Sequence, residues 1–234
     1  MSYFFFNNYI SKERIEIIFE LGSRDLKDAL KLIKHYTKSK CYSFECNPDC
    51  LIECNKTIIN LNNHEKKRIF LIKKAVSITD SKIKFHSFDL SKYNNMGASS
   101  ILKIDFSKRN TSDPDYNREN VQKSIEVDGI RLDSYIKEHN IKDIDLLCID
   151  LQGYELNAIK SLGEKIKKVK YIITECSIQS TYINGCNFID LNKYLENNGF
   201  KYIVSNKFGT KFPDLTLKGF SEFDALFINS DYII

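Results

Sequence analysis

The 234-residue sequence predicts an α/β fold with a mostly parallel seven-stranded sheet, helices on both faces and one inserted strand and loop region. Three observations support this prediction. Short apolar runs alternate with segments of helical periodicity, a pattern typical of right-handed βαβ units. Hydrophobic residues make up 42% of the chain and charged residues 28%, so there is enough apolar material for a buried core. The length fits a single domain, which we expect to cover residues 1–234.

The first half of the chain contains three predicted strands. Residues 15–21 form a short apolar run, and the segment after them has helical spacing, with Asp25 as the expected N-cap. Residues 41–45 form the second strand, and the next helix is expected to begin at Pro48, where proline is tolerated. The third strand is predicted over residues 69–77.

Residues 83–128 depart from this alternation. Short apolar runs are separated there by polar, turn-like stretches such as residues 94–97 and 110–117. We predict one or two antiparallel strands and a mobile loop, inserted into the domain.

Regular alternation resumes after the insertion. Because no long helix separates the last two strands, we expect them to form an antiparallel hairpin at one edge of the sheet. The predicted elements are helices over 132–139, 154–169 and 191–198 and strands over 144–150, 171–175, 200–205 and 223–228.

Charge and cysteine content argue against several classes of protein. The formal net charge is +4, but basic and acidic residues are interleaved, so we predict no nucleic-acid partner. No run is long enough to cross a bilayer, and residues 1–8 lack the regions of a secretory signal. The odd number of cysteines, seven, then indicates reduced thiols in the cytoplasm. Cys46, Cys50 and Cys54 are four apart, which is not zinc-site spacing, and we expect them to be packing residues.

Carboxylates at the ends of the predicted strands indicate a binding site. In open α/β sheets, ligands bind at the carboxyl ends of parallel strands. Gly22 permits a tight turn, and Glu45, 23 residues later, is placed like the acid that binds ribose hydroxyls in nucleotide-binding folds. The turn lacks a full set of glycines, which favours a ligand with an amino-acid tail over a dinucleotide. The alternative is that Glu45 is a surface acid and Gly22 an ordinary turn residue. The strand-end carboxylates are Glu20, Glu45, Asp150 and Glu175.

Several segments, in the right order between Phe19 and Glu175, resemble the FkbM family of methyltransferases. The most distinctive is residues 145–155, D-L-L-C-I-D-L-Q-G-Y-E, which is similar to the family block D-x-[IL]-K-[IL]-D-[VI]-[EQ]-G-[AY]-E. The other matching segments are residues 44–48 (F-E-C-N-P), 75–77 (A-V-S), 97–100 (G-A-S-S) and 130–135 (I-R-L-D-S-Y).

The resemblance implies a Rossmann-like class I methyltransferase that uses S-adenosylmethionine, often on hydroxyl groups of sugars or other small metabolites. By the same resemblance, the methionine part of the donor would contact Glu20, Gly22 and Ser23, the ribose Glu45 and the adenine Val76 and Ser77. Cys46 and Asn47 complete this predicted cofactor site, and Asp150 would lie close to the reacting methyl group.

Two departures from the family pattern bear on that site. The family usually has further small residues after the first glycine, where this chain has Arg24 and Leu26. Arg24 either pairs with the methionine carboxylate of the donor or crowds the pocket. Cys148 replaces a common lysine on the fourth strand.

Methyl transfer to a hydroxyl needs alignment and a base that accepts the proton. We expect Asp150 to be that base, Glu175 its partner, and His86, in the insertion, a further candidate. Asp150 and Glu175 with waters would also suit Mg²⁺, but we predict no metal ligands. Ser99, Ser100 and Tyr154 are candidate contacts of the acceptor, whose site we expect the insertion to shape.

Three functions compete at this level. The first is an O-methyltransferase acting on a small molecule or glycan. The second is an RNA or protein methyltransferase, although the N/D-P-P-Y-type segment used for amino groups of bases is missing after the fourth strand. The third is a non-catalytic module that binds the cofactor. The oligomeric state is not predicted.

Overall fold

The computed structural model describes residues 3–91, 95–108, 121–217 and 222–232. Short 3-10 helices, among them Tyr3–Tyr9 and Gly163–Lys168, occur in addition to the α-helices and β-strands. In chain order these are β1 (Ile17–Leu21), α1 (Lys27–His35), β2 (Lys40–Phe44), α2 (Pro48–Asn60), α3 (Asn63–Lys66), β3 (Ile69–Ile72), β4 (Ala75–Val76), β5 (Lys82–Phe88), β6 (Gln122–Ile130), α4 (Leu132–Glu138), β7 (Ile144–Ile149), α5 (Glu155–Lys160), β8 (Val169–Ser177), α6 (Phe188–Asn197), β9 (Phe200–Ser205) and β10 (Glu222–Asn229).

Seven strands form the central sheet, in the order β3-β2-β1-β7-β8-β10-β9. The first five are parallel, and β10 runs antiparallel to both β8 and β9. The predicted seven-stranded, mostly parallel sheet and its closing antiparallel pair are therefore confirmed. The strand order reverses beside β1, which lies between β2 and β7, so a ligand crevice is expected at their carboxyl ends.

Helices cover both faces of the sheet, as predicted. Strand β7 is buried along its whole length, and its alternate residues enter two different cores. Leu147 and Ile149 belong to the cluster that includes side chains of α4, α5 and α6. Leu146 and Cys148 belong to the other cluster, with side chains of α1 and α2. This two-sided burial fixes the height at which β7 ends, and hence the position of Asp150.

The insertion contains the antiparallel strands that we predicted. β5 pairs with β6 over seven residue pairs, from Lys82 with Asp128 to Phe88 with Gln122. β4 pairs in parallel with β6, giving a separate three-stranded sheet. The predicted loop at 110–117 lies outside the described residues.

Three predicted boundaries were wrong. The third strand, expected over 69–77, divides into β3 and β4 because the exposed Lys73 and Lys74 interrupt it and β4 joins the second sheet. The helix expected over 154–169 ends at Lys160, and a 3-10 helix follows from Gly163, whose φ is +51°. The N-cap of α1 is Leu26, although Asp25 Oδ1 still accepts a hydrogen bond from Lys27 N.

In the part of the chain that the structure describes, none of the helices combines the length and apolar character required to span a bilayer.

Candidate active site

A cavity of about 870 Å³, including its mouth open to solvent, lies at the carboxyl ends of β1, β2 and β7. Of the ten predicted cofactor residues, Ser77 alone is missing from its walls. Ser77 instead lies beside Thr79, with their hydroxyl oxygens 3.4 Å apart. The nine that line the cavity are Glu20, Gly22, Ser23, Arg24, Glu45, Cys46, Asn47, Val76 and Asp150.

The turn after β1 is held tightly against its neighbours. The N–H groups of Gly22 and Ser23 both donate to the Phe44 carbonyl oxygen, at 3.0 and 3.1 Å. Gly22 has φ +86°, and a Cβ placed there would lie 2.0 Å from the Asp150 carbonyl oxygen. Only glycine fits this position, because both the backbone conformation and the contact exclude a side chain. The turn therefore brings a bare backbone to the cavity wall.

Glu45 joins the turns after β1 and β2. Its carboxylate accepts three backbone hydrogen bonds, from Arg24 N at 2.9 Å, Cys46 N at 2.7 Å and Asn47 N at 2.8 Å. Burial raises the pKa of Glu45, and the three backbone donors oppose that rise. The bond to Arg24 N also stabilises the left-handed conformation of Arg24, whose φ is +52°.

Asn47 connects this region to the insertion. Its side-chain oxygen accepts from Asp49 N at 3.2 Å and so caps α2. Its Nδ2 donates to Ser99 Oγ at 3.2 Å. Ser100 Oγ lies 3.2 and 2.9 Å from the carbonyl oxygens of Leu151 and Gln152. The segment around Ser99 thus contacts both the end of β2 and the turn after β7.

Glu20 contributes a buried carboxyl group with one unsatisfied oxygen. The residue is 1% exposed and lines the cavity, and among the described residues its Oε2 has no hydrogen-bond partner. Burial raises the pKa of Glu20 to about 8. An unpaired buried oxygen is costly, so this atom is poised to accept a donor from a ligand.

The carboxyl ends of β7 and β8 are joined by an amide. Gln152 Nε2 donates to Asp150 Oδ1 at 2.8 Å and to Glu175 Oε2 at 2.9 Å. Asp150 lines the large cavity, whereas Glu175 lines an adjacent pocket of about 250 Å³ together with Ser177, Glu222 and others. Burial raises the pKa of both acids. The structure therefore brings the two predicted catalytic acids together through Gln152.

His86 does not reach either space. It is buried in β5 and pairs through its backbone with Ser100, while its neighbour Phe85 lines the cavity. Because successive strand residues point to opposite faces, His86 points away from that wall. Burial and the nearby charges of Lys103 and Lys84 lower its pKa. His86 therefore leaves the set of candidate bases.

Sequence analysis missed some of the cavity wall. Tyr3, in the N-terminal 3-10 helix, is buried against the site, and burial and nearby acids including Glu20 raise its pKa. The apolar run that begins at Tyr3 was the available signal, since such a run without a signal-peptide pattern indicates packing. Lys74, Phe85 and Met96 also line the cavity, and they come from segments with no recognisable motif. The candidate acceptor contacts Ser99, Ser100 and Tyr154 lie in the same wall.

Within the four described ranges, no group of three or more His, Cys, Asp and Glu side chains has an arrangement suited to a metal ion. The amide nitrogen of Gln152 lies between Asp150 and Glu175, where an ion shared by these two acids would have to bind.

A sequence model of the methyltransferase FkbM domain matches residues 23–202, more than half of the chain. The chain belongs to the FkbM methyltransferase family. The predicted family is thereby confirmed, and with it the expectation of a methyltransferase domain.

Individual relatives agree with this FkbM assignment. The chain is 27% identical to the 2-O-methyltransferase NoeI of Sinorhizobium fredii over 168 residues, which are 71% of this chain and 65% of NoeI. Its fold is similar to that of the methyltransferase FkbM from Methylobacillus flagellatus KT, with a TM-score of 0.53 and 13% identity over 92% of this chain and 43% of that one. The fibrillarin pre-rRNA processing protein of Methanococcus jannaschii gives a TM-score of 0.50 and 12% identity, over 94% and 68% of the chains. The chain thus spans just under two thirds of the curated relative, and the structural likenesses concern the fold alone.

Two residues at the carboxyl end of β1, just before the matched residues 23–202, fit the donor that the family implies. A sulfonium nucleoside with an amino-acid tail needs a close backbone approach and an acceptor for its ammonium group. Gly22, whose backbone lines the cavity, would allow the first, and Glu20 Oε2, which has no hydrogen-bond partner among the described residues, would serve as the second.

Proposed function

We propose that this chain transfers the methyl group of S-adenosylmethionine to a hydroxyl group of a small molecule or sugar. The observation that carries the proposal is that Glu45 and Asp150, from the ends of two different strands, line one cavity. A ribose-binding acid and a base for the acceptor must share a crevice if donor and acceptor are to meet. The two acids meet this requirement.

The cavity wall suggests how the donor is held. Glu45 Oε2 accepts one backbone hydrogen bond and keeps a lone pair for a ribose hydroxyl. Glu20 Oε2 is suited to the ammonium group, and the exposed guanidinium of Arg24, above Gly97, to the carboxylate of the methionine part. Val76 and Phe85 offer apolar surface to the adenine.

Asp150 is the proposed general base. Bound S-adenosylmethionine supplies a methyl group already activated by its sulfonium charge. The protein aligns the acceptor hydroxyl with that methyl, and Asp150 takes the hydroxyl proton as the C–O bond forms and the C–S bond breaks. The products are a methyl ether and the neutral thioether of the donor.

The small pocket beside Asp150 is the proposed entrance of the acceptor. It is lined by three acids, Glu155, Glu175 and Glu222, and in the described residues by no lysine or arginine. Such a surface offers no positive group to pair with phosphates, which argues against RNA as the acceptor. Hydroxyl groups of Ser177 and Thr181 in the same pocket suit a neutral, hydroxyl-rich molecule. The 2-O-methyltransferase NoeI supports oxygen as the methylated atom.

We further propose a single domain whose insertion, residues 83–128, shapes this acceptor site. Ile104, from the insertion, forms a β-bridge with Tyr182 beside the small pocket. The compartment proposed is the cytoplasm, because all seven cysteines are free thiols and five of them are buried.

The test is methyl transfer. Calorimetry should give a micromolar Kd for S-adenosylmethionine. Donor carrying a tritiated methyl group should then label members of a panel of mono- and oligosaccharides, with the label resistant to mild base as expected of an ether.

The same labelling assay is also run with total RNA and with a protein extract as acceptors. Labelling of RNA alone would replace the proposed acceptor class. Tight donor binding with no labelling of any class would favour the non-catalytic module, and absence of donor binding would reject the cofactor site.

A further inference from the structure

Gln152 lies between the proposed base and a second acid, and the proposed reaction gives it no role. Its Nε2 bridges Asp150 and Glu175, and its Oε1 lies 2.9 Å from the Tyr182 hydroxyl. That hydroxyl is also 2.9 Å from the Ala98 carbonyl oxygen. Both N–H bonds of one amide therefore serve two carboxylates. This fixes the amide orientation, because the reversed amide would point its oxygen at two acids.

The backbone of the turn is arranged to aim this side chain. Gln152 has φ +53° and Gly153 φ +92°. A left-handed conformation at a residue other than glycine persists only where its surroundings enforce it. Here Glu155 Oε1 accepts from the N–H groups of Leu151 and Gly153, both at 3.0 Å, and Ser100 Oγ approaches the carbonyl oxygens of the turn. The turn is thus fixed on both its amide and its carbonyl side.

The charges around the two acids differ. Burial raises the pKa of Asp150, but its hydrogen bond with Gln152 and the charge of Arg24 lower it. Burial also raises the pKa of Glu175, and its charged neighbours, Asp150 first, raise it further. A proton held by this pair therefore resides on Glu175. Within the described residues, the titratable and charged groups that interact with Asp150 are Tyr3, Arg24, Asp28, Glu45, Glu155 and Glu175.

We propose that Gln152 is a positioning residue, which holds Asp150 ionised and oriented towards the sulfonium of the donor while Glu175 keeps the proton of the acid pair. The inference rests on the proposed function, in which Asp150 is the base beside the reacting methyl group. A charge-assisted hydrogen bond from a neutral amide favours the ionised carboxylate without adding a competing charge. An ionised Asp150 in turn attracts the positive donor and accepts the acceptor's proton.

The test compares the donor with S-adenosylhomocysteine, which keeps the adenosine and the amino acid but lacks the sulfonium charge. The ratio of the two Kd values reports the charge, because contacts with Glu20, Arg24 and Glu45 are common to both ligands. In the wild type, the preference for S-adenosylmethionine should decline towards acidic pH as Asp150 gains a proton. Gln152→Met should move the midpoint of that decline upward by about one pH unit, a tenfold change in ionisation constant. The preference at alkaline pH should stay unchanged.

Tyr182→Phe removes only the hydroxyl that orients the amide, and we expect a smaller shift in the same direction. Gln179→Met makes the same substitution at an exposed glutamine and should not move the midpoint. Thermal unfolding of each variant establishes that it is folded.

An unchanged midpoint in folded Gln152→Met would overturn the role of Gln152, as would a wild-type ratio that does not vary with pH. If Gln152→Met does not fold, an unchanged midpoint in Tyr182→Phe decides the matter in the same way. Failure of the wild type to bind S-adenosylmethionine at all is a different result, because it rejects the proposed function itself.

Discussion

The acids at the carboxyl end of β2 and those at the ends of β7 and β8 obtain their hydrogen-bond donors in different ways. Each end carries acids that are buried or half-buried, and each acid must find hydrogen-bond donors. Glu45, after β2, takes three from the backbone. Asp150 and Glu175, after β7 and within β8, share a side-chain amide. Backbone donors cannot rotate away, so Glu45 is suited to fixed binding. A neutral side-chain amide joins two acids without adding a charge, so one acid can stay ionised beside the other, which suits chemistry.

The largest effect should come from the acid assigned to chemistry. Asp150→Asn keeps the shape of the side chain but cannot accept the proton of a hydroxyl, so turnover should fall by roughly 10²–10⁴-fold. Donor affinity should change by less than about tenfold, which is about 1.4 kcal/mol. Rates with the labelled acceptor and calorimetry measure the two quantities.

Asp145, at the other end of β7, provides the control. It accepts hydrogen bonds from Glu16 N and Ile17 N and pairs with Lys170, all far from the cavity wall. Asp145→Asn should lower stability but leave the turnover of folded enzyme unchanged. Wild-type turnover in Asp150→Asn would show that another residue is the base. The end of β7 would then not differ from the end of β2 by its role in chemistry.

The next effect tests the contact between the two regions. Gly22→Ala combines a left-handed conformation with a collision against Asp150 O, so the free energy of unfolding should fall by about 2–5 kcal/mol. Donor binding should become undetectable. Gly199 has φ +85° but nothing within 4 Å of its missing Cβ, so Gly199→Ala isolates the conformational cost, about 1–2 kcal/mol. Equal losses in the two variants, measured by denaturant unfolding, would show that the collision contributes nothing.

A third prediction concerns the acid held by the backbone. Glu45→Ala should weaken binding of S-adenosylmethionine at least about tenfold, or 1.4 kcal/mol, because the ribose partner is lost and three backbone N–H groups lose theirs. Glu53→Ala removes a half-exposed acid of α2, which pairs with Lys56, and should leave affinity unchanged. Calorimetric equality of Glu45→Ala with wild type would remove the ribose role.

The last prediction concerns Glu20, whose Oε2 has no hydrogen-bond partner among the described residues. Its pKa in the folded state is about 8, above the ordinary 4.5, so the folded protein retains a proton that the unfolded chain loses. Stability without ligand is therefore full at acidic pH and declines as pH rises to about 8, by at most about 1.4 kcal/mol per pH unit. Glu20→Gln should flatten this decline. Glu155, with its pKa raised to about 7 by burial, contributes in the same direction and remains in the variant. An identical slope in Glu20→Gln and wild type would contradict the raised pKa.

The sequence predicted the acids better than the groups that hold them. Glu20, Glu45, Asp150 and Glu175 follow from the rule that ligands bind at strand ends, because the apolar runs place those ends reliably. The bridge through Gln152 depends on a turn in which Gln152 and Gly153 are both left-handed. Such a turn is hard to predict from a sequence when only one of its two residues is glycine. His86 was misjudged for a related reason. Its place in a strand was predicted, but the face to which it points depends on the pairing of β5 with β6.

The N-terminal residue Tyr3 and the split of the third strand illustrate a second limit. Tyr3 reaches the site through packing between segments far apart in the chain, which local periodicity does not encode. β4 leaves the main sheet because β6 offers it a partner more than fifty residues later. Such long-range pairing overrides local strand propensity.

The segment at residues 96–101 connects the cavity wall with the end of β2 and with the turn after β7. Met96, Gly97, Ser99, Ser100 and Ile101 belong to the donor cavity wall, Ser99 is bonded to the cap of α2, and Ser100 supports the turn that carries Asp150. A replacement of the insertion that is meant to change which acceptor binds would therefore have to keep these six residues unchanged. A substitution within this segment would change acceptor preference and donor affinity together. The two properties can be varied separately only by changes outside residues 96–101.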